Sequence, residues 1–268
     1  MRYVFSDLTG GRTVNNLDTQ AGQSFAVDIS GFYQGPKFDI DGRDATWAAG
    51  INISNIGNKM KYTSSQDVSD FQPTNLRLGF NMDMELDDYN SLGFGLDLNK
   101  LMVPTPAINV TTDQGDVIRL GSKPDQGPIG GMFTSFGDAP GRVIENEAGE
   151  AITNEADIPS DIRYKKEGDV FIRKGSKFGE ELREINFSIG AEYWYKKLFA
   201  FRMGYFNEHA SKGNRKYLTF GAGVRYKVFG LDFSYLAAFQ RNHPLANTIR
   251  FTLKFTFDKK AATRPSEE

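Results

Sequence analysis

Residues 248–257 alternate without interruption: Ile249, Phe251, Leu253, Phe255 and Phe257 are apolar, while Thr248, Arg250, Thr252, Lys254 and Thr256 are polar or charged. A strand turns successive side chains to opposite faces, so this period of two describes an extended segment with one greasy face and one polar face. The same period runs through residues 75–84, where Leu76, Leu78, Phe80, Met82 and Met84 oppose Asn75, Arg77, Gly79, Asn81 and Asp83. In 92–99, Leu92, Phe94, Leu96 and Leu98 oppose Gly93, Gly95, Asp97 and Asn99. In 184–195, Ile185, Phe187, Ile189, Ala191, Tyr193 and Tyr195 share a face, and Trp194 breaks the pattern near the end. Six further segments, 2–8, 24–34, 46–54, 198–207, 216–228 and 230–240, bring the predicted strands to ten.

Composition agrees with an all-β chain. Twenty-two Phe, 11 Tyr and 28 Gly among 268 residues suit twisted strands and tight turns better than long helices. The 32 basic and 34 acidic residues are scattered and leave a net charge of −2, which excludes the electrostatic footprint of a nucleic-acid binder. Cysteine is absent, which removes disulfides, thiolate metal sites and a cysteine nucleophile. Mean hydropathy is −0.46, and no run approaches the roughly 18 apolar residues of a membrane-spanning helix. A transmembrane barrel escapes that test, because each strand needs only about 9 to 11 residues and only alternate ones face lipid. The first residues, Met1 to Ser6, lack a signal-peptide pattern and read as the inside of a strand, so the front of the protein is expected to be missing.

Connections between these strands alternate between short and long, as in outer-membrane barrels. With the last strand descending to the periplasm, 229–230, 196–197 and 85–88 become periplasmic turns, and 241–245, 208–215, 101–183, 57–74 and 9–23 become outer loops. Only 35–45 is long for a turn. The same topology brings Tyr193, Tyr195, Phe199, Tyr226, Phe233, Phe255 and Phe257 near one rim, the place of an interfacial girdle. The polar faces carry Asp28, Arg77, Asp83, Asp97, Glu192, Arg202, Arg225, Lys227, Asp232, Arg250 and Lys254, assigned to a hydrated or ion-paired interior. Soluble sandwiches and lipocalin-like barrels show the same period with the faces reversed, and alternation alone does not separate the two.

The connection 101–183 is too long for a passive loop. Its first part is rich in turns and proline, from Val103-Pro104-Thr105-Pro106 to Met132 and Pro140. Its second part, notably 145–161 and 163–177, is charged and is expected to project into solvent as a mobile insertion. Within the first part, Pro104, Pro106, Phe133, Phe136, Asp138 and Pro140 are the candidates for binding a partner, by apolar contact or by pairing with an exposed strand.

Several stretches in order along the chain resemble the PorV family of type IX secretion outer-membrane proteins. They are Leu8-Thr9-Gly10-Gly11, Asn52-Ile53-Ser54-Asn55-Ile56-Gly57, Pro73-Thr74-Asn75-Leu76-Arg77-Leu78-Gly79, and Asp97-Leu98-Asn99-Lys100-Leu101 running into Val103-Pro104-Thr105-Pro106. Further on come Ser135-Phe136, Asp138-Ala139-Pro140, Glu192-Tyr193-Trp194-Tyr195, Gly204-Tyr205-Phe206, residues 212–217 and residues 247–253. The resemblance implies a FadL-like transmembrane antiparallel β-barrel of fourteen strands, with the last ten held here in residues 1–257; the polar tail in 258–268 departs from the family pattern. It implies an outer-membrane location with loops at the cell surface and no chemistry of its own. It implies a role in binding C-terminal signal domains of secreted cargo and carrying them from a SprA-like translocon to the attachment complex, whose sortase-like member is PorU. The charged insertion from Arg142 to about Phe178 is longer than the family pattern.

No catalytic, cofactor or metal site is predicted. The two histidines, His209 and His243, fall in different predicted outer loops, so a His-based triad or metal cluster lacks its parts. Asp39-Ile40-Asp41-Gly42-Arg43-Asp44 imitates the start of a calcium loop, but its twelfth position is Gly50 instead of Glu, and a polar turn is the better reading. Gly221-Ala222-Gly223 lies inside a strand and lacks the helix of a dinucleotide fingerprint. Beside the carrier stand two other readings: a pore or hydrophobic-solute transporter, and an outer-membrane enzyme such as a lipid deacylase, which the missing histidine constellation disfavours.

Overall fold

A computed structural model describes residues 1–7, 13–14, 17–18, 20–62, 69–122, 126–240, 245–246 and 248–256. The elements are β1 (Arg2–Ser6), β2 (Thr13–Val14), β3 (Leu17–Asp18), β4 (Gly22–Gln34), β5 (Phe38–Ile40), β6 (Arg43–Gly57), β7 (Asn75–Glu85) and β8 (Asn90–Leu101). The long connection holds β9 (Ile108–Thr111), β10 (Val117–Leu120), α1 (Pro128–Thr134), β11 (Tyr164–Glu167), β12 (Val170–Arg173) and α2 (Ser176–Arg183). The chain continues with β13 (Ile185–Tyr195), β14 (Phe199–Asn207), β15 (Lys216–Tyr226), β16 (Phe229–Ala238) and β17 (Thr248–Phe255). One large sheet runs in the order β1, β4, β6, β7, β8, β13, β14, β15, β16, β17, with β5 added on β6. Every one of the ten predicted strands is on that path, each beside its predecessor. The residues divide into two compact units, one of Met1–Gly31, Ile51–Arg77 and Asn99–Ile185, the other of Phe32–Gly50, Leu78–Leu98 and Asn186–Glu268.

In the second unit, β13 to β17 form an antiparallel meander in which Tyr193 faces Phe201, Phe201 faces Ala222, Ala222 faces Phe233 and Phe233 faces Phe251. These apolar rows lie on the outside of the fold: Phe201 is 59% exposed, Met203 57%, Phe251 72% and Leu253 60%. A soluble protein with the reversed faces would pack these side chains in a dry centre, and the exposure of Phe201 and Met203 speaks against that alternative. The other face of β13 to β16 carries a cluster of charges. The Arg202 guanidinium donates to Glu192 and, at 2.7 Å, to Asp232, and Arg225 donates to the same Asp232 at 2.7 Å. Both guanidinium groups stack over Trp194, at 5.4 and 5.5 Å from the ring, and the indole N–H donates to Glu192. Trp194 therefore belongs to the polar face, where a cation-binding aromatic fits as well as a charge does.

The stretch 35–45, long for a turn, is also resolved. β5 pairs with the start of β6, Phe38 opposite Ala45 and Ile40 opposite Arg43, so the hairpin closes through Asp41-Gly42 alone. Both are left-handed, with φ of 53° and 76°, the geometry of a type I′ turn for which Asp-Gly is a preferred pair. The Asp39 carboxylate accepts from the Gly42 N–H at 3.0 Å, so it serves the turn.

In the first unit, β1 pairs with β4 antiparallel, and Arg2 holds Asp28 at 2.6 Å while the Asn55 N–H donates to the same carboxylate at 2.8 Å. Phe25, Val27 and Ile29 point outward and Ser24 and Ala26 inward, again with the apolar face exposed. The charged insertion carries regular structure of its own. Residues 108–173 build a small β-layer of their own: β10 pairs with β9, Thr112 bridges Ala151, Glu145 bridges Ala151, Val143 bridges Ile172, and β12 pairs with β11. Val110, Leu120, Ala151 and Val170 form one buried cluster, and Ile144, Ile152 and Phe171 another. The charges of this segment sit at its surface, while short apolar pieces scattered between them meet in its interior.

Candidate partner-binding site

The partner-binding candidates lie in the first unit and stand on α1 and the chain around it. Pro128 opens the helix, where its fixed φ suits the first turn and its missing N–H costs nothing. Gly131, Met132 and Ser135 face inward. A Cβ added at Gly131 would fall 2.8 Å from both the Phe71 ring and Pro104, so the helix sits tightly on those two residues. The opposite side presents Ile129 and Phe133, spaced four apart and therefore neighbours on one helical face, and Phe136 is exposed just past the end of the helix. Phe133 is 70% exposed.

Beneath this face lies a clasp of charges. Lys100, at the end of β8, is buried and donates to Glu181 at 3.1 Å and Glu184 at 2.7 Å, both on or next to α2. Glu184 also accepts from the Thr105 hydroxyl at 2.8 Å, Glu181 from the Ala139 N–H at 2.9 Å, and Asp138 from the Thr105 N–H at 3.3 Å. Three segments, 104–106, 138–140 and α2, are thus fastened to one lysine. Burial pushes the Asp138 carboxyl above the ordinary carboxylate range, and the negative charges of Glu181 and Glu184 add to the effect. The Lys100 ammonium also lies 5.5 Å from the centre of the Phe136 ring, which ties the exposed aromatic to the clasp.

The six residues singled out in the sequence therefore divide by role. Phe133 and Phe136 are exposed together, and Pro106 is exposed on the adjoining turn. Pro104 is buried under Gly131 and offers no surface, and Asp138 and Pro140 are half-buried in the clasp. Sequence reasoning missed Ile129, Lys100, Thr105, Glu181 and Glu184. One signal was present: the apolar row of β8 runs Leu92, Phe94, Leu96, Leu98 and then meets Lys100 at the next position of the same parity. A lysine where the pattern demands an apolar residue marks the point at which the strand is covered by protein.

In the second unit, Tyr195, Phe199, Tyr226, Phe233 and Phe255 of the predicted girdle are exposed, and Phe257 lies outside the described residues. Tyr195 faces Phe199, Tyr226 faces Phe229 and Phe229 faces Phe255, so aromatic rings line the strands beside the turns at 196–197 and 227–228. Tyr193 is only half-buried and its hydroxyl donates to Asn90. His209 accepts from the Ser211 N–H at 3.2 Å and caps a short helical turn, and His243 lies outside the described residues. Arg215 grips the buried Glu208 with two bonds of 2.7 Å and holds its carboxyl below the usual range. Among the described residues no group of three His, Cys, Asp or Glu is placed to hold a metal ion, and no helix is long and apolar enough to cross a membrane.

No curated protein matches the chain. The family model described as type IX secretion system protein PorV matches residues 1–108, which bears out the resemblance over the stretches of that region.

Proposed function

We propose, on the similarity of residues 1–108 to the PorV family of type IX secretion system proteins, that this chain is an outer-membrane carrier for secreted cargo. Its large sheet turns apolar faces to lipid, and its long outer loop takes hold of the C-terminal signal domain of a cargo protein at the cell surface. The cargo arrives from the SprA-like translocon and leaves to the attachment complex with its sortase-like PorU. The observation that carries the reading is the exposure of three large apolar side chains, Ile129 and Phe133 on α1 and Phe136 just past its end, on a scaffold fixed by the buried Lys100. Aromatic anchors on a rigid base are what an interface uses, because little conformational freedom is lost when they are covered.

Replacing Phe133 and Phe136 together with Ser tests this. Truncating an aromatic anchor typically costs about 2 kcal/mol or more, which corresponds to roughly 30-fold in affinity. We expect capture of a cargo C-terminal domain to fall by at least that factor, with insertion in the outer membrane unchanged; undiminished capture would overturn the reading. Deleting 131–140 is a poorer test, because it also removes Met132, Ser135 and the Asp138 and Ala139 arms of the clasp. The solute-transporter alternative gains little from the second unit, where a cleft of about 480 Å³ has Asp83, Glu192 and Arg202 in its lining beside Phe94, Ala191 and Met203. Those charges suit water and ions and oppose a fatty-acid chain.

A further inference from the structure

The small β-layer of the outer loop ends in two edges that differ in a way the large sheet does not explain. One edge is β11, which carries Lys165 and Lys166, both exposed, on a hairpin closed by Gly168 and Asp169. Lysines on an edge strand discourage another strand from pairing there. The other edge is β10, Val117-Ile118-Arg119-Leu120, which has neither lysine nor proline.

The hydrogen-bond register states which backbone groups β10 leaves free. Thr112 donates to the Asp116 carbonyl at 2.8 Å, which makes that pair the first bonded rung of the β9–β10 hairpin. Rungs alternate in an antiparallel ladder, so Ile118 with Val110 and Leu120 with Ile108 are bonded, while Val117 and Arg119 turn their N–H and C=O groups away from β9. The far side of β9 confirms the phase, since the Thr111 carbonyl points the other way and accepts the Ala151 N–H at 2.8 Å. Among the described residues, the backbone groups of Val117 and Arg119 have no protein partner.

We infer that β10 is a second contact point for the captured polypeptide, which adds an extended segment of its own to this edge. The inference rests on the cargo reading above and deepens it. The chemistry of the segment follows from the two faces of β10. On one face Ile118 and Leu120 belong to the buried cluster of Val110, Ala151 and Val170, so an added strand extends that cluster with an apolar side chain beside Ile118. On the other face Arg119 is exposed and has no ion-pair partner among the described residues, so the segment fits best with a carboxylate opposite it. Four residues make a short edge, which suits a hold that is later released.

Amide hydrogen exchange on the whole chain in lipid, with and without a cargo C-terminal domain, tests this. Exchange at Val117 and Arg119 is expected to slow by tenfold or more when the domain is added, while the already paired Ile118 changes little. Val117→Pro and Arg119→Pro remove an outward N–H at positions where an edge strand tolerates proline, and each is expected to weaken capture by about three- to tenfold, the worth of one lost hydrogen bond. Unchanged exchange at Val117 and Arg119 on binding overturns the inference. So does full-strength capture by both proline variants in a protein whose capture Phe133→Ser weakens, and that result leaves the cargo reading standing. Failure of the unaltered chain to bind the domain at all overturns both.

Discussion

Phe171→Ala is expected to unfold the small β-layer of residues 108–173 while leaving the large sheet assembled. Phe171 is buried with Ile144 and Ile152, and Tyr164 meets its ring edge-on at 5.4 Å. Removing a buried phenylalanine side chain costs about 3–5 kcal/mol, from lost transfer energy and the cavity left behind. A layer of a few short strands has little stability in reserve, so local opening should become more than a hundredfold easier. The readout is amide exchange at Ile144 and Ile152, whose N–H groups donate to the Phe171 and Ile144 carbonyls at 2.9 and 3.0 Å. Protection there should collapse, and protection in β13 to β16 should stay. Equal protection in the variant would mean that the insertion is not held by its apolar interior.

The second large effect belongs to the polar face of the sheet. Arg202→Met leaves Glu192 and Asp232 without the cation that lies between them, although Arg225 still serves Asp232. Breaking a fully buried pair costs about 3–5 kcal/mol; Arg202 is roughly a third exposed, and water screens part of the loss, so about 2 kcal/mol is expected. The measurement is urea unfolding in lipid vesicles. Adding Glu192→Gln to Arg202→Met should recover part of the lost stability, because one of the two orphaned charges is then gone. A single variant as stable as the parent would show that these charges are held by water alone.

How much of this was legible beforehand depends on the range of the interactions. The ten strands were readable because each carries its own period of two, a local signal that needs no partner. Which face is left uncovered was not readable, since Phe251 and Arg250 alternate equally well in a soluble sandwich; the exposure of Phe201, Met203 and Phe251 shows it. The interior of the long loop was not legible because it is assembled from fragments. Val110, Ala151 and Val170 are far apart in sequence and embedded among charges, and bridges such as Thr112 to Ala151 span nearly forty residues. Composition averages such fragments away. The polar turn at Asp41-Gly42 was legible, because Asp-Gly is a turn signal and the calcium-loop pattern fails at Gly50; the pairing of 38–40 with 43–45 was not.

Of the residues proposed to bind a partner, Phe133 and Phe136 stand out in the sequence because aromatic side chains in a loop are conspicuous. Lys100, Glu181 and Glu184 do not, because the pairing of Lys100 with carboxylates more than eighty positions away has no local trace. Pro104 was assigned to the surface on its composition alone, yet it is the wedge on which α1 rests.

The central claim is that the apolar faces of the sheet look into lipid, and the absence of cysteine makes it directly measurable. Single cysteines placed at Phe201, Met203, Phe220 and Phe251, and at Thr219 and Ser234 on the opposite face, can each carry a nitroxide in lipid vesicles. Collision with oxygen should be high and collision with a water-soluble nickel complex low at the first four, with the reverse at Thr219 and Ser234. If the first four sites prove as accessible to the nickel complex as Thr219 and Ser234, those side chains face water and the membrane account is wrong.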